Sequence, residues 1–284
     1  MKNQIEIRKL FNPTQPQVQL NENIFHREIP PDARLQPYIW CYWEIKSYQP
    51  LTEPFSCKIA SDGCVDIFFD VNNSSQSYAM GFYDRYSTYV LGSSFHYAGI
   101  RFLPGMFSHL FNTKSSELSN TVEHLDSIHA KTSKFLIENI HPNDSIIEFK
   151  CAFDKYFLNN LQNINKVLDT RFHEAILIIF KNTRSLNIEN DIGKNIRISQ
   201  RHLRRIFEFY IGDNIKSFAR VVRFQSYLRA HFESQEILPD SLYYDFGYYD
   251  QGHFIKEFKK FSGDTPSKTL RNQNFINHFH SSDG

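Results

Sequence analysis

Residues 247–266 read GYYDQGHFIKEFKKFSGDTP. Phe254, Phe258 and Phe261 recur at helical intervals, which puts them on one stripe of an α-helix and leaves the lysines on its other sides. Asp250 is a strong N-cap, because its carboxylate accepts from the free N–H groups of a first helical turn. Gly263 stands where the chain leaves such a helix through a left-handed residue. The spacing predicts an amphipathic helix over about residues 250–262 with an apolar back and a basic front.

This segment has a twin 51 residues upstream. Residues 199–213, SQRHLRRIFEFYIGD, lie over residues 250–264, DQGHFIKEFKKFSGD, with Gln200/Gln251, His202/His253, Phe207/Phe258, Gly212/Gly263 and Asp213/Asp264 identical. Chance gives about one match in so short a window. Ser199 supplies the cap in this copy, Leu203, Phe207 and Tyr210 its apolar stripe, and Gly212 its exit, so a second helix is expected over about residues 199–211.

The outward faces are basic. At 100° per residue, Arg201 and Arg205 point away from the first stripe with Arg204 beside them, and Gly252, Lys256 and Lys260 point away from the second, flanked by His253 and Lys259. A shorter helical segment precedes each copy, NIENDIGKNI before Ser199 and DSLYYDFGYYD before Gln251, with Gly247 at the second turn. A helix, a tight turn and a second amphipathic helix with a polar outer face make a helix-turn-helix unit, whose second helix enters a major groove. Between the units, residues 214–234 contain no Pro or Gly and read as one helix. Its length of about 32 Å at 1.5 Å per residue is close to the ~34 Å between successive major-groove faces of B-DNA.

These residues resemble the paired helix-turn-helix domain of the AraC family of bacterial transcription regulators, over residues 171–271. The resemblance rests on Gly247, Tyr248, Tyr249, Asp250, Gln251, His253, Phe254, Lys256, Phe258, Gly263 and Pro266 in the second unit, and on Ser199, Leu203, Arg205, Phe207 and Gly212 in the first. It implies base reading by Arg201, Arg204 and Arg205 and by Gln251, Gly252 and Lys256. An arginine fork suits guanine and a glutamine amide suits adenine. Lys259, Lys260 and the helix N-termini are expected at phosphates, and Gln200 and His253 complete the candidate DNA contacts. His202 and His253 also lie where each buttresses a helix start. Three positions depart from the family pattern: Gly252 lacks a side chain, Tyr243 replaces a small residue, and Arg197 stands at a turn that often has glycine.

The front half has another rhythm. Short aromatic and β-branched runs, such as YIWCYWEI and CKIASDGCVDIFFDV, are broken by Asp-Gly, Asn-Asn-Ser-Ser and Gly and read as strands and hairpins. Residues 35–111 also resemble an uncharacterised N-terminal sensor domain of some AraC-type regulators, on Leu35, Pro37, Tyr38, Tyr42, Trp43, Asp62, Gly63, Cys64, Asp66, Gly92, Arg101, Phe102, Pro104 and Gly105. That resemblance implies a small effector without naming it. Trp40, Tyr42, Trp43, His96 and Arg101 are the candidate ligand-binding residues. Strand alternation pairs Trp40 with Tyr42 on one face and Cys41 with Trp43 on the other, so at most one pair faces a cavity. Arg101 suits an anionic ligand or an ion pair.

The expected fold is therefore an α+β two-domain protein. A mainly β barrel or sandwich-like sensor domain occupies residues 1–130, and a helical connector that is a candidate dimerisation element occupies 131–168. An all-α DNA-binding domain, with two helix-turn-helix units joined by a long helix, occupies 169–272, and a polar tail 273–284.

Composition agrees with this division. The net charge of +1 covers a mildly acidic front half and a mildly basic back half. Cys41, Cys57, Cys64 and Cys151 lack metal or redox spacing and read as reduced thiols, although Cys57 and Cys64 would face each other across a hairpin at Ser61-Asp62-Gly63. His124 with His129, and His278 with His280, lack the neighbours of a zinc site, so no metal or other cofactor is expected. No nucleophile constellation or phosphate loop argues for an enzyme, and no catalytic residue is assigned. No run approaches the ~18 apolar residues of a membrane span, and a cytoplasmic address is expected. The expected partners are double-stranded DNA, a small effector, a second copy of the chain and RNA polymerase, and the expected output is activation. The alternative is control by a protein partner or by self-association with no small effector.

Overall fold

The computed structural model describes residues 7–16, 22–161, 167–185, 187–234 and 240–271. The expected polar tail, 273–284, lies outside them.

Among the described residues, eight strands form in the N-terminal half: β1 (Ile24–Ile29), β2 (Ile39–Ser47), β3 (Phe55–Ile59), β4 (Val65–Asp70), β5 (Asn73–Met80), β6 (Ser87–Gly92), β7 (His96–Phe102) and β8 (Val122–His124). Six make an antiparallel sheet in the order β1-β2-β7-β4-β5-β8, and β3 pairs with β6 separately. The edge strands β1 and β8 do not pair, so the sheet does not close into a barrel and the half is an open sandwich. β3 and β4 enter different sheets, so the hairpin that would have set Cys57 opposite Cys64 does not form. The segment between them, residues 60–64, instead runs to the C-terminal half.

Alternation assigns the two faces of the larger sheet. Tyr42, Val65, Ile67, Phe69, Ala98, Ile100 and Phe102 point to one side. There they meet Phe107 of α1 (Met106–Phe111) and the helices α2 (Leu125–Asn139) and α3 (Ile146–Leu161), whose Leu136, Phe149, Phe153 and Phe157 share that core. The expected connector helix thus packs on the N-terminal sheet. The other face carries Trp43, Asp66, Phe68, Tyr78, Tyr97 and Arg101 toward β3 and β6. Gly99 makes room there: a Cβ would lie 2.5 Å from the Trp43 ring and 2.7 Å from the Ile67 carbonyl oxygen.

The C-terminal half is helical: α4 (Thr170–Lys181), α5 (Ile188–Ile196), α6 (Gln200–Tyr210), α7 (Ile215–Glu233), a 3-10 helix (Asp240–Phe246), α8 (Gln251–Ser262) and α9 (Pro266–Arg271). The two repeated helices start one residue after their caps; Ser199 Oγ accepts from His202 N and Asp250 Oδ1 from His253 N. Gly212 and Gly263 leave them with φ of 96° and 86°. Arg197 closes α5 in the left-handed region, at φ 53°, where a glycine would be unstrained. Tyr243, bulky where the sequence pattern asks for a small residue, stacks on Phe254 at 5.2 Å and 12°. The first helix of the second unit is 3-10 rather than α. α7, capped by Asn214, has 19 residues and spans about 28 Å.

One apolar core joins the halves. Phe11, Trp40, Cys64, Phe82 and Met106 from the front pack in the same cluster as Phe172, Phe207, Phe218 and Phe258 from the back. Gly105 sits in this seam at φ 80°, where a Cβ would lie 2.3 Å from the Phe172 ring. Gly105→Ala combines a left-handed backbone with a core clash, and is expected to destabilise the chain by about 2–4 kcal/mol. Urea denaturation of the two proteins checks it.

Candidate nucleic-acid interface and interior cavity

The two repeated helices differ sharply between their ends. Toward their N-termini, Gln200, Arg201, Arg204 and Arg205 of α6 and Gln251, Gly252 and Lys256 of α8 are exposed, as is Lys259. Among the described residues no ion pair engages Arg201, Arg204, Arg205, Lys256 or Lys259. Gln200 Nε2 donates to Asn190 Oδ1 at 3.4 Å. His253 is half-buried, and its Nε2 lies 3.6 Å from the buried carboxylate of Glu257, which accepts from Arg220 Nε at 2.7 Å. Exposed guanidinium, ammonium and amide groups around two helix N-termini form a surface suited to polyanions.

The C-terminal ends are gripped by the front half. Ser108 Oγ donates to Phe209 O at 2.9 Å and Ser115 Oγ to Tyr210 O at 3.0 Å. At α8, Ser61 N donates to Phe261 O and Tyr86 N to Lys260 O, both at 3.0 Å. Two ion pairs reinforce the second contact, Lys260–Asp84 and Lys58–Asp264, each 2.7 Å. Burial works against the Asp84 carboxylate, but Lys260 and Arg85 outweigh it and lower its pKa. Lys260, expected at a phosphate, is therefore held by the N-terminal half in this conformation.

Between the larger sheet and β3–β6 lies a cavity of about 320 Å³. Trp43, Phe68, Tyr78, Tyr89 and Tyr97 give it aromatic walls, and Glu28, Asp66, Arg101 and Gln15 a polar floor. Of the five sequence candidates, Trp43 and Arg101 line it. The other three do not. β2 carries a bulge at Trp40, since Ile39 and Cys41 pair with the consecutive residues Phe102 and Arg101. Trp40 thus leaves the alternation and enters the core between the halves, under the Arg8 guanidinium at 4.5 Å. Tyr42 points to the helical layer, where its hydroxyl donates to Asp154 at 2.9 Å. His96 lies on that layer's side too, 2.7 Å from Glu44 and near the Phe149 ring.

Arg101 donates to Asp66 through Nε and Nη2, at 3.0 and 2.9 Å, and Trp43 Nε1 donates to the same carboxylate at 3.2 Å. Asp62 and Glu28 stand 3.6 and 3.9 Å from the guanidinium. Burial disfavours the Arg101 charge, but these three carboxylates more than restore it. Burial likewise pushes Asp66 up to about 6, against the pull of Arg101.

The floor is hydrogen-bonded to the helical half. Gln15 Nε2 donates to Asp62 Oδ2 at 2.8 Å and to Ala60 O, and its Oε1 accepts from Ala60 N. The next residue back, Thr14, donates its N–H to Gln225 Oε1 at 2.7 Å, and Gln225 Nε2 donates to Ser61 O at 2.8 Å. Gln225 is buried in the middle of α7. Sequence reasoning missed Gln15 and Gln225; the available signal was a glutamine on the stripe Phe218, Val221, Gln225, Leu228, where the pattern calls for an apolar residue.

Residues 192–272 match a family model described as a helix-turn-helix domain. The C-terminal region is an AraC-type helix-turn-helix domain. It makes the chain a DNA-binding transcription regulator. Residues 27–124 match a domain of unknown function, DUF6597. No curated protein matches the chain. Solved structures of ToxT from Vibrio cholerae are similar. ToxT of strain O395 shares 14% identity over 88% of this chain and 98% of that chain, with a TM-score of 0.44. ToxT bound to (E)-4-(8-methylnaphthalen-1-yl)but-3-enoic acid shares 14% over 88% and 99%, at 0.45. Wild-type ToxT of strain SCE256 bound to an unsaturated fatty acid shares 13% over 89% and 97%, at 0.41.

The buried Asp66 gives a pH test. Its carboxyl holds a proton more tightly folded than unfolded, so its contribution favours the fold below about pH 4 and is lost as pH rises through 6. Asp66→Asn cannot titrate. Between about pH 4 and pH 7, the stability difference between the proteins is expected to move toward the variant by on the order of 2–3 kcal/mol. Urea denaturation across that range measures it.

Proposed function

We propose that this AraC-type protein is a sequence-specific activator of transcription whose two recognition helices, α6 and α8, enter successive major grooves, and whose sandwich cavity binds a small effector that sets how those helices are held. The observation that carries this reading is the position of residues 60–64. Asp62 touches the charged floor of the cavity, while Ser61 bonds both α8 and Gln225 of the joining helix. One short segment therefore belongs to the ligand cavity and to the DNA-binding unit at once, which favours effector control over control by self-association alone.

Base reading is assigned to Arg201, Arg204 and Arg205 on α6 and to Gln251 and Lys256 on α8, all exposed. Gln200, Gly252 and His253 lie in or beside the first turns, where the backbone N–H groups favour phosphate, and Lys259 is placed for a backbone contact.

Selection from random duplex DNA by the full chain is expected to yield two short elements about one helical turn apart, and a reporter carrying the selected site upstream of a weak promoter is expected to rise. Enrichment of no element rejects the reading. Arg205→Ala is expected to cost about 1–3 kcal/mol on the selected site and to relax preference at one base; equal losses on selected and random DNA would remove Arg205 from base reading. Asp84→Asn tests the grip on Lys260. Released from its partner, Lys260 is expected to reach a phosphate and to steepen the slope of log affinity against log salt by about 0.9. An unchanged slope places Lys260 off the DNA.

A further inference from the structure

The polar floor of the cavity has an unbalanced charge. A single guanidinium, Arg101, is surrounded by Asp66, Asp62 and Glu28 at 2.9, 3.6 and 3.9 Å. The side chains of Arg101, Asp66 and Glu28 are 7%, 2% and 6% exposed, so water screens little of that excess. The remaining base nearby, His26, lies 3.9 Å from Glu28. An entering carboxylate would meet a guanidinium already committed to Asp66 through Nε and Nη2, and would add a negative charge where negative charge is already in surplus.

The walls favour a cation as well. Trp43, Phe68, Tyr78, Tyr89 and Tyr97 line the same space as the carboxylates of Glu28 and Asp66. Phe68 stacks between Trp43 and Tyr78 at centroid distances of 6.5 and 5.3 Å. Aromatic faces attract cations through the ring quadrupole, most strongly where water is excluded. The carboxylates are not gathered as a metal centre: among the described residues no three His, Cys, Asp or Glu side chains are placed to hold an ion.

Arg101 carries a second, independent feature. Its Nη1 is buried and, among the described residues, has no hydrogen-bond partner, on a side chain that lines the space. A buried N–H of this kind calls for an acceptor, and the three carboxylates around Arg101 favour a neutral one over an anion. At about 320 Å³ the cavity lies at the small end of ligand sites.

We propose that the cavity takes a small organic amine, its ammonium group lying beside Glu28 and Asp66 under the aromatic walls and a neutral hydroxyl or carbonyl oxygen accepting from Arg101 Nη1. The assignment rests on the reading of this cavity as the effector site. It departs from the anionic ligand that Arg101 suggests in the sequence, because the charges around the arginine reverse its meaning.

The test is a charge series on one scaffold, measured by calorimetry and thermal shift with the full chain: phenylethanolamine, the neutral phenylethylene glycol and the anionic mandelic acid. The amine is expected to bind at least about tenfold more tightly than either of the others, a difference of about 1.4 kcal/mol. Glu28→Gln is expected to lower amine affinity by a similar factor and to leave the glycol unchanged. Since the series is run on the unaltered chain, it decides the question even where the variant fails to fold. Tighter binding of the acid or the glycol overturns the amine assignment and leaves effector control standing. Absence of binding by all three, in a chain that still selects a bipartite DNA site, overturns the amine assignment and effector control together.

Discussion

The last carbonyls of both repeated helices, α6 and α8, accept hydrogen bonds from the N-terminal half, and much of the architecture depends on that constraint. The final four carbonyls of any helix lack partners within it. In α6 two of them are met by the hydroxyls of Ser108 and Ser115, and in α8 two are met by the backbone N–H groups of Ser61 and Tyr86. The turn glycines fit the same contact. A Cβ at Gly212 would lie 2.6 Å from Ser115 O, and one at Gly263 would lie 2.8 Å from the Tyr86 ring. The residues that end the helices are thus also those that let the front half approach. The opposite ends, with their free N–H groups and basic side chains, are left to solvent.

A buried charge cluster beside such a seam needs compensation. Separating ions from water costs several kcal/mol each after relaxation. Arg101 recovers part of this through paired contacts with Asp66, and Trp43 and Gln15 supply neutral donors to Asp66 and Asp62. Polar groups of this kind add little net stability against an apolar replacement, but they accept few alternative arrangements. The seam is therefore both apolar, through Phe172, Phe218 and Met106, and geometrically selective, through Gln15, Asp62 and Gln225.

The helical half was readable because its determinants are local. Ser199, Asp250 and Asn214 cap the turns that follow them, and Gly212 and Gly263 end helices whose apolar stripes recur every three or four residues. The β-rich, barrel or sandwich-like character of the front half followed from equally local alternation, but the choice between the two and the pairing of its strands did not. Whether β3 pairs with β4 or with β6 is a matter of long-range partners, and the bulge at Trp40 reverses which aromatics share a face. The cavity was legible only in part for that reason. Trp43 and Arg101 lie where alternation allows, whereas the sign of the site depends on Glu28, Asp62 and Asp66, which converge on Arg101 from other segments. Lys260 shows the same limit: a lysine beside a basic helical face reads as a phosphate ligand until the fold brings Asp84 to it.

Residues 60–64 set the scale of coupling that this fold can support. Ser61 donates to Phe261 O and accepts from Gln225, while Asp62 holds Gln15 and faces Arg101. Gly63 gives the segment its left-handed turn, at φ 83°, against the Phe218 ring. A shift of this segment by about the difference between a made and a broken hydrogen bond, roughly 1 Å, disengages α8 and α7 together. Two such bonds are worth about 1–3 kcal/mol net, which is about 5–150-fold in an equilibrium and within the usual range of allosteric coupling. A larger effect would have to open the apolar seam around Phe172 and Phe218 as well. The hydrogen-bonded segment, rather than the core, is the softer part of this interface, and it reaches α8 and the joining helix α7 at once.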